Sequence, residues 1–101
     1  MVKVYDGDTS LFTSTKICVM DFYADWCGPC KKLAPEFVKL AEKYPTFLFL
    51  KVDGEEYQFS KYEIRAYPTI LILENGKEVY RSEGYDGRTM NELQAKLNTY
   101  T

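Results

Sequence analysis

The chain has 101 residues, 46% of them hydrophobic and 28% charged, with a formal net charge of −2 at pH 7. That length holds one hydrophobic core, so we expect residues 1–101 to form a single domain. Because no basic run is long enough to bind a phosphate backbone and no apolar run approaches the roughly 18 residues of a membrane span, we expect neither nucleic acid nor membrane as a partner.

Hydrophobic periodicity and turn residues predict alternating strands and helices along the chain. In chain order the predicted elements are strand Val2–Tyr5, helix Asp8–Thr13, strand Ile17–Ala24, helix Gly28–Tyr44, strand Phe47–Val52, helix Glu55–Tyr62, strand Thr69–Leu73, strand Lys77–Ser82 and helix Thr89–Asn98. Asn75-Gly76 is typical of a tight turn that joins the last two strands in an antiparallel hairpin. Thr89 and Glu92 have the spacing of a capping box. The pattern predicts an α/β fold, a mixed sheet of about five strands with about four helices on its two faces.

Cys27 and Cys30 stand where a buried strand is expected to pass into a helix, within the run Trp26-Cys27-Gly28-Pro29-Cys30. A helix N-terminus stabilises an anion, and the thiolate anion is the nucleophile in disulfide exchange. A structural zinc site needs four nitrogen or sulfur ligands. Since the chain has no histidine and only one further cysteine, a metal site would require two copies sharing ligands. The strand-to-helix position favours a redox dithiol over a chance pair.

The positions of the two thiols along the helix predict different roles for them. Cys27 lies nearer the helix start, so we expect it to be the more exposed thiol and to attack a substrate disulfide. Cys30, one turn further on and more buried, would then attack the Cys27 sulfur and release the reduced substrate. Gly28 and Pro29 allow a tight turn and fix the backbone where the helix begins.

Two other chemically notable residues lie inside the apolar strand Ile17–Ala24. Burial would raise the pKa of the Asp21 carboxyl toward neutrality and make it the candidate base that deprotonates Cys30. The alternative is that Asp21 faces solvent or a polar contact at a strand edge. Cys18 is expected to be a small buried hydrophobe, because a regulatory thiol would need exposure. The odd cysteine count and the absence of a signal peptide indicate a reducing compartment, the cytoplasm.

Several motifs together resemble the thioredoxin family across essentially the whole chain: Asp21–Lys31 with Pro35, Lys51-Val52-Asp53, Ile64–Thr69, Asn75-Gly76 and Gly84. The resemblance implies the thioredoxin fold and a protein dithiol–disulfide oxidoreductase that acts mainly as a reductant in cell redox homeostasis and electron transport. Its Cys27–Cys30 pair would cycle between disulfide and dithiol without a bound metal or cofactor. Electrons would come from a separate thioredoxin reductase, using NADPH through a flavin or, less often, ferredoxin. The other partners would be disulfide-containing substrate proteins, and the protein would be a monomer.

The resemblance also implies roles for residues around the cysteines. Asp21 would exchange protons with Cys30 through water. Pro68, which the sequence alone leaves as a trans proline at a strand start, would be cis and lie against the disulfide. The Tyr67 backbone would pair with an extended substrate segment. A shallow apolar docking surface would be lined by Trp26, Pro29, Tyr67, Pro68 and Gly84.

The chain departs from the family pattern at two places. Many relatives carry a lysine beside the buried carboxylate, where this sequence has Ala34 and Phe49, with Lys51 nearby along the chain. Tyr67 is larger than the residue often found before the proline, which would narrow the choice of partners. Two other functions fit the same motifs: a thioredoxin-fold scaffold or binding subunit, and a dedicated electron donor to one acceptor enzyme.

Overall fold

A computed structural model describes residues 1–101. The strands are β1 (Val2–Val4), β2 (Ile17–Tyr23), β3 (Leu48–Asp53), β4 (Thr69–Glu74) and β5 (Lys77–Glu83). The helices are α1 (Ser10–Thr13), α2 (Gly28–Lys43) and α3 (Thr89–Asn98). All five strands and these three helices lie within about two residues of their predicted positions. None of the helices combines the length and the apolar character that a membrane crossing requires.

The five strands form one mixed sheet in the order β1-β3-β2-β4-β5. β1 and β2 run parallel to β3, whereas β4 is antiparallel to β2 and β5 is antiparallel to β4. The Asn75-Gly76 turn between β4 and β5 has positive φ at both residues, 53° and 81°, which confirms the predicted hairpin. β2 therefore lies at the centre of the sheet, and the chain leaves its C-terminal end for α2.

Each face of the sheet packs a hydrophobic core against helices. The face covered by α2 and α3 buries Val19, Leu33, Phe37, Leu40, Ala41, Phe49, Ile70, Ile72, Leu93 and Leu97. The opposite face, covered by α1 and the segment before β4, buries Tyr5, Phe12, Cys18, Met20, Phe22, Leu50, Val52, Tyr62, Leu71 and Leu73. Successive residues of a strand point to opposite faces, so the strands that supply both cores read as continuous apolar runs.

The helix predicted over residues 55–62 is absent, and the structure has three helices instead of four. The chain there forms only isolated turns, in which the Tyr57 N–H donates to the Asp53 carbonyl at 2.9 Å and the Tyr62 N–H donates to the Phe59 carbonyl at 3.1 Å. Neither turn continues into a second, so the prediction was wrong in this segment.

The turns persist because side chains from distant elements hold them. The Phe59 ring lies 5.7 to 6.0 Å from the rings of Tyr5, Phe12, Phe22 and Tyr62, measured between ring centroids. Aromatic pairs at these separations stabilise the fold by more than the burial of their apolar area alone. This long-range packing outweighs the weak helical tendency of the local sequence.

Arg81 on β5 also holds this segment, through hydrogen bonds to its backbone. Its guanidinium donates hydrogen bonds to the backbone carbonyls of Tyr62 and Glu63 and forms an ion pair with Glu78 at 2.9 Å. Those carbonyls would otherwise have no partner in the chain, and Glu63 adopts a positive φ of 48°.

The predicted capping box at α3 is also wrong. Thr89 is already helical, and its hydroxyl accepts a hydrogen bond from the Asp86 N–H at 2.9 Å. The Asp86 carboxylate accepts from the Arg88 N–H at 2.8 Å. The Thr89 and Asp86 side chains therefore bond within the preceding turn, and no side chain caps α3.

Candidate active site

Cys27 and Cys30 form a disulfide at the N-terminus of α2, with 5.3 Å between their Cα atoms. Cys27 is the N-cap residue, with extended backbone angles, and Gly28 and Pro29 open the first turn. The Cys27 Sγ accepts a hydrogen bond from the Cys30 N–H at 3.2 Å. This bond directs one of the otherwise unpaired N–H groups of the helix end at the Cys27 sulfur.

The exposure predicted for the two cysteines was wrong for the disulfide state. Cys27 and Cys30 are 3% and 4% exposed, so neither is the more accessible residue. Both cysteines are buried because they form a small cluster with Ala24, against which Tyr23 and Tyr67 pack. The electrostatic environment distinguishes the two sulfurs instead, because the Cys27 Sγ lies at the positive end of the α2 dipole.

Trp26 projects beside the disulfide and is 68% exposed. Its indole Nε1 donates a hydrogen bond to the Glu55 carboxylate at 3.0 Å, and the Tyr67 ring meets it edge-on at a centroid distance of 5.9 Å. Gly54 lies so close that an added Cβ would come within 2.6 Å of the Tyr67 hydroxyl. No sequence pattern predicts the role of Glu55, since its contact with Trp26 spans 29 residues.

The Tyr67–Pro68 peptide bond is cis, as the resemblance implies. The Pro68 carbonyl accepts a hydrogen bond from the Gly84 N–H at 2.8 Å, which joins the start of β4 to the end of β5. The backbone N–H and C=O of Tyr67 form no hydrogen bond within the chain. The structure thus brings Tyr67, Pro68 and Gly84 together, with Tyr67 against the cysteines and an unpaired donor and acceptor available.

Asp21 is buried in the central strand β2, at 1% exposure, so it faces neither solvent nor a strand edge. Its Oδ1 has no hydrogen-bond partner. Burial raises the pKa of the Asp21 carboxyl from 3.8 to about 7, and the positive charge of Lys51 partly opposes this rise. Asp21 and Lys51 are register partners on the adjacent parallel strands β2 and β3, a proximity that sequence separation conceals.

A cavity of about 280 Å³ lies beside Cys30. It is lined by Tyr23, Ala24, Asp25, Cys30, Lys31, Ala34 and Lys51. The Lys51 Nζ lies 4.5 Å from the centroid of the Tyr23 ring, a distance at which a cation is attracted to the ring face. This cavity shares no lining residue with the predicted docking surface.

Cys18 lies outside this site, in the core beneath α1. It is fully buried, and burial raises the pKa of its thiol to about 12. A thiol in that environment stays protonated and unreactive, as expected for a packing residue. The chain contains no group of three or more acidic, cysteine or histidine side chains placed to hold a metal ion.

Comparisons with known proteins agree with this geometry. The family model described as Thioredoxin matches residues 4–99. The chain belongs to the thioredoxin family. Thioredoxin-1 of Saccharomyces cerevisiae is 46% identical over 77 residues, which cover 74% of this chain and 75% of the yeast protein.

Solved structures of thioredoxins have the same fold. The solution structure of oxidised thioredoxin from Plasmodium falciparum is 29% identical, with a TM-score of 0.85 over 96% of this chain and 98% of that one. A thioredoxin f2 in complex with ferredoxin:thioredoxin reductase is 34% identical, with a TM-score of 0.77 over 98% and 94% of the two chains. Family membership and the Cys27–Cys30 disulfide identify this protein as a dithiol–disulfide oxidoreductase.

Proposed function

We propose that this protein reduces disulfide bonds in other proteins, with Cys27 as the attacking thiol, Cys30 as the resolving thiol and Asp21 as the proton acceptor. The observation that carries the proposal is the hydrogen bond from the Cys30 N–H to the Cys27 Sγ at the N-terminus of α2. Helix N-termini lower cysteine pKa values because they stabilise the thiolate. Cys27 is therefore the thiol best suited to attack.

Resolution of the mixed disulfide requires Cys30 to lose a proton. Asp21 is the candidate acceptor, because burial raises the pKa of its carboxyl to about 7, close to the pH at which it must both take up and release protons. Its Oδ1 has no competing partner. The Cys30 thiolate then attacks the Cys27 sulfur, the bond from Cys27 to the substrate breaks, and the substrate leaves with the electron pair.

Substrate docking would use the surface lined by Trp26, Pro29, Tyr67, Pro68 and Gly84. The unpaired N–H and C=O of Tyr67 support this role, because an extended peptide can pair with them as an added strand. The exposed Trp26 ring supplies apolar contact area beside the disulfide. Tyr67 restricts the approach on the other side, since its ring fills the space between Trp26 and Gly54.

A thioredoxin reductase would reduce the Cys27–Cys30 disulfide again after each turnover, and we propose that it is the NADPH-dependent flavoenzyme. A reductase partner is supported by the structural likeness to a thioredoxin that forms a complex with ferredoxin:thioredoxin reductase, so the ferredoxin-dependent enzyme is the alternative. We further propose that residues 1–101 act as one monomeric domain in the cytoplasm. The single five-stranded sheet supports the single domain.

The test is reduction of a model protein disulfide, driven by NADPH with the flavoenzyme reductase or by reduced ferredoxin with the ferredoxin-dependent reductase. Wild type should turn over continuously, and Cys27→Ser should fall to the uncatalysed background. Cys30→Ser should attack once and then accumulate a covalent adduct with the substrate, which mass spectrometry detects.

Cys18→Ala is the matched control, because it removes a thiol that lies outside the site. Its turnover should equal that of wild type. Equal rates for wild type and Cys27→Ser would overturn the proposal. Full biological activity in a Cys27→Ser/Cys30→Ser double variant would favour a scaffold role, and turnover on a single protein disulfide among several would favour a dedicated electron donor.

A further inference from the structure

The loop between β5 and α3, residues 84–88, borders the proposed docking surface through Gly84 and has few backbone hydrogen bonds. The Gly84 N–H donates to the Pro68 carbonyl at 2.8 Å, and the Asp86 N–H donates to the hydroxyl of the first residue of α3 at 2.9 Å. Between those two bonds, the Gly84 C=O and both backbone groups of Tyr85 have no partner in the chain. Gly84 itself has a positive φ of 84°, a conformation in which glycine keeps much freedom. Backbone interactions alone therefore do not fix the position of this loop.

The Tyr85 side chain joins the loop to α2. Its hydroxyl donates a hydrogen bond to the Glu36 carboxylate, the one hydrogen bond between the loop and that helix. Glu36 takes part in no ion pair, so no cation competes for this carboxylate. A hydrogen bond to an ionised acceptor is stronger than one between neutral groups. The same bond raises the pKa of the Tyr85 hydroxyl, which therefore stays protonated and remains the donor at neutral pH.

The helix that accepts this hydrogen bond also carries the disulfide. Cys27 is the N-cap residue of α2, and Glu36 lies roughly 13 Å further along the axis, at about 1.5 Å per residue. The Tyr85 ring packs against the core that α2 and α3 share, which places the hydroxyl beside α2. The hydrogen bond therefore sets the separation between the Gly84 side of the docking surface and the helix that holds the two cysteines.

We propose that Tyr85 is a positioning residue for substrate docking: its hydrogen bond to Glu36 holds the loop of residues 84–88 against α2, so that Gly84 is in place before a protein substrate binds beside the disulfide. The proposal rests on the proposed docking surface. Without this hydrogen bond, substrate binding has to order the loop, and the entropy lost in ordering it lowers the affinity. A disulfide too small to reach Gly84 does not depend on the loop.

The test compares a protein disulfide with a small one. Reduced protein is mixed with increasing, excess concentrations of insulin, and its oxidation is followed by the fluorescence of Trp26, which projects beside the disulfide. The half-saturating insulin concentration reports docking, and the limiting rate reports thiol exchange. The same proteins are then mixed with dithiobis(nitrobenzoate), whose coloured product reports thiol exchange without docking of a protein.

Two variants remove the hydrogen bond from opposite ends. Tyr85→Phe keeps the ring and removes the donor, and Glu36→Met removes the acceptor. In each, the half-saturating insulin concentration should rise about threefold to tenfold, the factor by which the net free energy of one hydrogen bond shifts an equilibrium. The limiting rate and the rate with dithiobis(nitrobenzoate) should stay unchanged. The double variant should be no worse than either single variant, because both remove the same bond.

Three further variants serve as controls. Glu36→Gln keeps an acceptor oxygen, so its half-saturating concentration should stay closer to wild type than that of Glu36→Met. Tyr100→Phe changes a tyrosine that packs against the same core, and Glu42→Met removes an exposed carboxylate from the same helix. Both should match wild type with insulin, since neither side chain forms a hydrogen bond or an ion pair in the chain. A rise in these two variants equal to that in Tyr85→Phe would overturn the proposal.

A second measurement needs no catalytic activity. Amide hydrogen exchange of Gly84 and Asp86, measured by NMR in the oxidised protein, should be about threefold to tenfold faster in Tyr85→Phe and Glu36→Met than in the controls, because the loop opens more often. Unchanged exchange would show that the hydrogen bond does not hold the loop. Faster exchange with an unchanged half-saturating concentration, or an equal loss of rate with both disulfides, would overturn its role in docking. A wild type that does not reduce insulin would instead contradict the proposed function.

Discussion

At the residue scale, Asp21 is an ionisable side chain that the fold disfavours in its charged form. It is 1% exposed at the centre of the sheet, and its Oδ1 has no hydrogen-bond partner. Burial of an unpaired carboxylate costs free energy, which is why its pKa rises from 3.8 to about 7. Since Cys30 needs a proton acceptor and the chain has no histidine, we attribute the retention of this destabilising group to the reaction.

This pKa shift predicts how Asp21→Asn changes stability with pH. Below pH 3.8 the carboxyl is protonated in both states. Between pH 3.8 and about 7 the unfolded chain ionises while the folded protein stays protonated, so the free energy of unfolding of wild type falls as pH rises. Asp21→Asn lacks this loss. At pH 8 its free energy of unfolding should exceed that of wild type by up to about 4 kcal/mol, at roughly 1.4 kcal/mol per pKa unit.

Urea unfolding of the oxidised protein at pH 4 and pH 8 measures the effect, with the fluorescence of Trp26, the only tryptophan, as the signal. Asp25→Asn, at an exposed position four residues along, is the control and should differ from wild type by less than about 0.5 kcal/mol. An equal difference between Asp21→Asn and wild type at both pH values would contradict the assignment.

At the scale of elements, the segment between β3 and β4 depends on Arg81 for its shape. Arg81→Met should leave the carbonyls of Tyr62 and Glu63 without a partner and lower the free energy of unfolding by about 1–3 kcal/mol. Amide hydrogen exchange should accelerate within residues 57–64 more than in the sheet.

Arg88→Met provides the comparison, because the Arg88 side chain is 79% accessible and forms only an ion pair with Asp86. The hydrogen bond from the Arg88 backbone N–H to Asp86 does not depend on that side chain. Surface pairs of this kind contribute little, so its stability should stay within about 0.5 kcal/mol of wild type. Similar losses in both variants, or exchange in residues 57–64 that matches wild type, would show that Arg81 does not hold the segment.

The elements differ in how far local sequence determines them. β2, α2 and the Asn75-Gly76 hairpin are predicted correctly because their signals are local: a continuous apolar run, helical spacing of apolar residues and a turn that tolerates positive φ. The helix expected over residues 55–62 fails because Phe59 packs into a distant aromatic cluster and Arg81 binds the local carbonyls. Neither interaction can be inferred before the strands are placed.

The candidate site likewise contains residues that local sequence predicts and contacts that it does not. Cys27, Cys30 and the burial of Asp21 follow from motif and apolar context. The proximity of Lys51 to Asp21 and of Glu55 to Trp26 depends on strand register and on a contact 29 residues apart. The prediction that Cys27 is the more exposed cysteine also fails, because both cysteines belong to one small buried cluster against which two tyrosines pack.

At the scale of the whole molecule, two cores share one sheet and should unfold together. Phe37 packs on the α2 and α3 face and Phe12 on the α1 face, each at most 2% exposed. Phe37→Ala and Phe12→Ala should each lower the free energy of unfolding by about 3–5 kcal/mol. Circular dichroism in the near and far ultraviolet should give one coincident transition for each variant.

Val38→Ala is the control, because Val38 lies beside Phe37 on α2 but is 48% exposed. It should lower the free energy of unfolding by less than about 1 kcal/mol. Separate transitions for the two spectral regions in either phenylalanine variant would mean that the two layers unfold independently, which would contradict one cooperative domain.

The Cys27 sulfur has two structural roles: it forms the disulfide with Cys30, and it accepts the N-cap hydrogen bond at the start of α2. As N-cap acceptor it contributes on the order of 1 kcal/mol to the first turn of α2, and its capping strength differs between a disulfide sulfur and a thiolate. By thermodynamic reciprocity, a contact that stabilises that turn more in one redox state than in the other displaces the oxidation equilibrium by that difference in free energy, about 30 mV for each 1.4 kcal/mol. A partner that binds this turn more tightly in one redox state therefore changes how readily the protein gives up its electrons.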